Sequence, residues 1–195
     1  MNLYSATITL ILVMDPLGNV PLFLSILNSV SPARRKLIIL RETFIAFIIL
    51  LGFLFFGKGL LQSMQISEAA LSIAGGVILF LMALQMIFSH SDEAARPKYN
   101  GEPLIVPLAI PLVAGPSAMA FVMLLASQAP KHIMLWALAL SIAWIVCSII
   151  LVFTDYLRKL LGEKGLSAVE KLMGMILTTM AVQMFLTGIQ QFFHL

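Results

Sequence analysis

Asp15 is an acid set inside an apolar run. Around it the chain reads DPLGNVPLF over residues 15–23, with uncharged sequence to either side. Three kinds of chemistry meet in those residues. The Asp15 carboxyl can bind or release a proton. Asn19 offers an amide. Pro16, Gly18 and Pro21 interrupt helical backbone bonding, and a proline inside a helix costs about 3 kcal/mol or more. Two prolines flanking a glycine predict one opened turn. Its carbonyls can hold a cation or an ammonium group, and its amides can hold a carboxylate.

A second stretch repeats the pattern. PLVAGP at 111–116 matches the P-L-x3-P of PLGNVP at 16–21, and so singles out Pro111, Gly115 and Pro116, followed by Ser117. Asp15 has no counterpart there, because Ile110 stands in the matching place.

The elements that must carry these residues are membrane helices. The chain has 195 residues, 61% of them hydrophobic and 11% charged. Soluble domains average about 45–50% apolar and about 25% charged. Six apolar spans stand out, roughly 3–27, 37–61, 69–88, 104–127, 133–153 and 172–193. Each is about 20 residues or more, enough to cross a hydrocarbon core of about 30 Å. Connections are short and no soluble domain fits between them. Ser31-Pro32 reads as a helix start, and Ser167-x-x-Glu170 reads as a capping box ahead of span 6. No removable signal peptide is apparent. Cys147 alone excludes an internal disulfide framework, and no zinc pattern is present. No cofactor is expected.

Basic residues sort by side. Ten of the twelve Lys and Arg follow spans 1, 3 and 5, and only Lys58 and Lys131 do not. The positive-inside rule puts those loops in the cytoplasm and both termini outside it, in the periplasm of a Gram-negative cell. The net charge of +3 is then a topology signal and calls for no nucleic acid. Arg41 reads as snorkelling to the cytoplasmic surface.

The chain also repeats itself internally. GVILFLMALQMI at 76–87 and GMILTTMAVQMF at 174–185 share seven of twelve positions, among them Gly76/Gly174 and Gln85/Gln183. The expected fold is an all-α integral membrane protein of six transmembrane helices. They form two inverted three-helix repeats, 1–90 and 103–195, joined by a cytoplasmic linker at 91–102, with helices 1 and 4 broken at P-L-x3-P. Units of three spans must enter the membrane in opposite directions, as in many secondary transporters. Irregular backbone at such depth is tolerated only where protein buries it or water reaches it.

The expected substrate- and ion-binding residues are Asp15, Pro16, Gly18, Asn19, Pro21, Pro111, Gly115, Pro116 and Ser117, with Gln85 and Gln183. An acid at mid-membrane depth costs about 2.5–3.5 kcal/mol and marks a functional site by default. Asp15 could equally cap the second half of its helix, and one residue can do both. Gln85 and Gln183 could instead bond between helices.

DPLGNVPLF in the first span and PLAIPLVAGPSAM (107–119) in the fourth resemble the two signatures of the MarC (UPF0056) family of multi-pass inner-membrane proteins. Ser117 stands where that family often has glycine. The resemblance implies an architecture similar to that of LysE-type exporters, with residues 15–21 and 111–117 as core signature positions. Some family members look like transporters of small neutral amino acids.

Two functions remain in view. One is a secondary transporter of a small-molecule substrate, a neutral amino acid or related metabolite, coupled to H+ or Na+ and with export favoured. The other is a structural, regulatory or channel-type membrane protein. A homo-oligomer in the lipid bilayer is left open. An intramembrane enzyme is disfavoured, because H-E-x-x-H and G-x-S-x-G are lacking. An aspartyl mechanism needs two carboxylates sharing a site, and on this reading only Asp15 is deep.

Overall fold

The computed structural model describes residues 2–27, 30–88 and 113–193, and among them every regular element is helical. The helices are α1 (Leu3–Met14), α2 (Pro16–Ile26), α3 (Pro32–Ser63), α4 (Glu68–Phe88), α5 (Pro116–Gln128), α6 (Ile133–Val152) and α7 (Thr154–Phe193). Five segments are long and apolar enough to cross a membrane: Leu3–Leu24, Arg34–Ser63, Glu68–Phe88, Pro130–Val152 and Lys164–Phe193. The first of these joins α1 and α2 across Asp15. The fourth expected span is represented by α5, whose 13 residues rise only about 20 Å. Residues 104–112 of that span, Pro111 included, lie outside the described residues.

Two helix starts behave differently from one another. Ser31 sits in extended conformation ahead of Pro32 and opens α3, as its sequence predicts, though its side chain makes no capping bond. The Ser167–Glu170 box opens nothing, because α7 is already helical there. The interruption falls earlier, at Gly162, whose φ of 65° is a backbone that glycine adopts without a Cβ penalty.

The bundle is held by close helix crossings, the mode of packing expected where lipid supplies no hydrophobic drive between helices. α1 packs on α6, α3 on both α5 and α6, and α4 runs along α7. A Cβ on Gly76 would lie 2.9 Å from the Ala181 carbonyl oxygen and 3.0 Å from the Phe185 nitrogen. One on Gly174 would lie 3.0 Å from the Ala83 carbonyl oxygen and 2.9 Å from Ile87 Cγ1. Ala83 and Ala181 are counterparts at the same 98-residue offset as the two glycines, and so are Ile87 and Phe185. The crossing is therefore isologous, each helix offering the other the same patch. Gly188 rests on Ala69 and Ile73 further along, so the two helices run antiparallel.

At the basic end, Arg35 joins two connections. Its Nη1 lies 2.9 Å from Asp155 Oδ1, and its Nε donates to the Val30 carbonyl at 2.8 Å. The outer surface is apolar, with Tyr4, Leu37, Phe56, Leu81, Met134 and Leu172 all exposed, as suits contact with lipid. Cys147 is a packing residue, buried with its Sγ 4.0 Å from Met14 Sδ.

Candidate functional site

The break in the first span is one residue wide. Asp15 alone leaves helical geometry, at φ 43° and ψ 62°, a left-handed backbone that costs most side chains about 1–2 kcal/mol and that Asp and Asn adopt most readily. The opened turn expected between the two prolines does not form. Pro16 opens α2, and Pro21 sits inside that helix.

The reason lies in how the freed groups are taken up. Pro16 has no N–H for the Leu12 carbonyl, and the Asp15 N–H bonds both Ile11 and Leu12 oxygens instead. The Gly18 N–H turns to Asp15 Oδ1 at 3.1 Å. That deprives the Met14 carbonyl of its usual partner, and Asn19 Nδ2 donates to it at 3.1 Å. Asp15 thus ends one helix with its backbone and begins the next with its side chain, as an N-cap does. The Leu12 and Met14 carbonyls, expected to await a cation, are engaged within the protein.

Gly18 is required by the same geometry. A Cβ there would collide with the Asp15 carboxylate and with Met86 Cε. Asp15 is 5% exposed and Asn19 7%, and Pro16, Gly18 and Pro21 are buried beside them. The Met14–Cys147 contact places this break level with the fifteenth of the 20 residues of α6. That is nearer the basic end of the bundle than the middle expected from residue count.

The second break is read only from its far side. Gly115 is extended (φ −72°, ψ 160°) and Pro116 opens α5. Helix formation therefore restarts at the second proline of PLVAGP but at the first proline of PLGNVP. By position ahead of a helix-opening proline, the counterpart of Asp15 is Gly115, which has no side chain to cap with. Ser117 is 1% exposed, and its Oγ has no hydrogen-bond partner among the described residues. Pro116 is exposed. Gln85 and Gln183 are both exposed as well, and Gln183 Nε2 donates along its own helix to Thr187 Oγ1 at 3.3 Å. Neither glutamine joins the buried residues around Asp15.

One buried acid escaped the sequence reading. Glu42 in α3 is 0% exposed. Its Oε1 accepts from Arg41 Nε at 2.8 Å and lies 2.8 Å from Arg41 Nη2. Arg41 holds its neighbour while its side chain stays 43% exposed. The signal was present as the single acid in LIILRETFIAF (37–47), beside an arginine read as reaching for the cytoplasmic surface. Among the described residues no group of three or more His, Cys, Asp or Glu is arranged to hold a metal ion.

Membrane-length apolar helices with an apolar exterior and a buried, capped break define a polytopic integral membrane protein. Residues 1–193 match the MarC family of integral membrane proteins, and the chain belongs to that family. It is 47% identical to a UPF0056 membrane protein of Buchnera aphidicola subsp. Baizongia pistaciae, covering 100% of this chain and 99% of that protein. It is also 47% identical to the UPF0056 inner membrane protein YhgN of Escherichia coli K12, over 97% of this chain and 96% of YhgN. The UPF0056 membrane protein YvbG of Bacillus subtilis is 31% identical over 95% of the chain and 93% of its own length. No solved structure matches.

Proposed function

We propose that this chain is a secondary transporter of small neutral amino acids or related small metabolites, coupled to H+ or Na+, working in the bacterial inner membrane with export as its direction. The isologous crossing of Gly76 and Gly174 carries the reading. Two antiparallel helices that share a sequence pattern and meet about a local two-fold support two three-span halves, 1–90 and 103–195, inserted in opposite senses. Such halves with interrupted first helices are a transporter architecture. The breaks at Asp15–Pro16 and Gly115–Pro116, each leading into a helix opened by proline, fit the same plan. Asp15 and Asn19 then hold the first break shut, and the amides of α5 beside Ser117 offer a carboxylate its donors. The inner-membrane assignment follows the name of the E. coli relative, and none of the relatives' names denotes an enzyme.

The test is uptake of labelled alanine, glycine and serine into proteoliposomes under imposed proton or sodium gradients. Accumulation that depends on one gradient and on the protein is expected for at least one of the three. Uptake no greater than in protein-free vesicles, for all three under both gradients, would favour a structural, regulatory or channel role.

A further inference from the structure

We propose that Glu42 is a proton-binding site within the membrane, with Oε2 the atom that takes the proton and Arg41 the counter-charge that holds the carboxylate once the proton has left. The carboxyl is wholly buried. The Arg41 Nε and Nη2 contacts both fall on Oε1, so the guanidinium grips one oxygen where a fork could span two. Oε2 is buried and has no partner among the described residues. A bare carboxylate oxygen out of water is costly, and so the site is built to receive something positive.

Its depth is fixed by a neighbour. The Trp144 indole N–H donates to the Thr43 carbonyl at 2.9 Å, and Trp144 is the twelfth of the 20 residues of α6. Phe47 stacks on that indole at 4.8 Å. Glu42 therefore sits near the middle of the bundle, shielded from water on the α6 side.

The surroundings select a proton over a metal ion. A metal needs several oxygens, whereas the Thr43 hydroxyl is committed to the Ile39 carbonyl and the Thr43 carbonyl to Trp144. One uncommitted atom suffices for a proton. Among the described residues, no other titratable group competes from the helices packed most closely on α3. α5 has none, and α6 has only Cys147, whose sulfur lies against Met14. On α3 itself Arg35 is engaged with Asp155 of α7. Protonation converts the carboxylate to a neutral carboxyl and weakens the hold on Arg41, whose side chain is 43% exposed and has room to turn away. The proton comes from water on one side and returns to it. Use of this site for coupling rests on the transporter reading; proton binding does not.

Infrared difference spectra of the full chain in lipid, recorded between acidic and alkaline pH, test this without any transport. A protonated-carboxyl band that appears at low pH is expected. It should shift in protein carrying 13C-labelled glutamate and stay in place with labelled aspartate, and the Glu42 variants separate it from the other five glutamates. Glu42→Gln should lose the band, Glu42→Asp should keep one at a displaced frequency, and Asp15→Asn should leave it unchanged. Replacing K+ by Na+ at fixed pH should not remove it. Absence of the band, its persistence in Glu42→Gln, a shift only with labelled aspartate, or loss with Na+ would overturn the proposal.

Discussion

Asp15→Asn inserts and folds as the parent protein does, yet loses gradient-driven uptake by at least about tenfold, the loss of roughly 1.4 kcal/mol or more in the coupled step. Asparagine keeps what the fold needs. It tolerates the left-handed backbone found at this position, and its Oδ1 can still accept the Gly18 N–H. It cannot ionise. Asp15→Ala removes the cap, worth about 1 kcal/mol, and adds the left-handed strain of a residue without a local hydrogen bond, about 1–2 kcal/mol. The alanine variant should therefore unfold at lower temperature as well as transport poorly. Thermal unfolding in detergent and uptake in proteoliposomes separate the two effects. Parent-level uptake by Asp15→Asn would reduce Asp15 to a cap.

Gly76→Val and Gly174→Val each destabilise the bundle by about 1–3 kcal/mol, the range for overpacking a close contact, and by similar amounts. A Cβ at either position meets a backbone carbonyl oxygen of the other helix at 2.9 or 3.0 Å. Backbone cannot swing aside as the end of a side chain does. Equality follows from the isologous contact, since each glycine faces the counterpart of what the other faces. The double variant should cost less than the sum, because one substitution already separates the helices and contacting residues couple. Gly52→Ala and Gly59→Ala, with nothing within 4 Å of the added carbon, serve as controls and should not destabilise. Unfolding transitions that differ by more than about 1 kcal/mol between the two valine variants would contradict a two-fold crossing.

Apolar length located the five membrane-length segments, because lipid selects for it directly. The matched glycines of GVIL and GMIL were informative for a related reason: small residues let two backbones approach. Their companions Gln85 and Gln183 match equally well in sequence but lie on the exposed face, since a shared residue type records ancestry as well as contact. Pro16 and Pro21 look alike in the sequence. Only Pro16 coincides with a break, because Asp15 and Asn19 supply hydrogen bonds around it. Such side-chain substitution for backbone bonds cannot be counted from proline spacing. Glu42 was hidden by Arg41, whose charge pointed to the cytoplasmic surface and not to a buried partner. The Ser167–Glu170 pattern was overridden by Gly162, whose positive φ ends one helix and admits the next several residues earlier.

Whether the region around α5 completes a crossing decides the architecture on which transport rests. Five described segments are of membrane length, while α5 has 13 residues. With that crossing complete the chain has six spans and both ends on one side. Without it the ends lie on opposite sides. A reporter active only outside the cytoplasm, fused after Leu195, reads this directly when paired with a cytoplasm-active reporter at the same site. Activity of the first and silence of the second are the predicted result, given the basic residues that follow spans 1, 3 and 5. The reverse pattern would contradict two oppositely inserted halves.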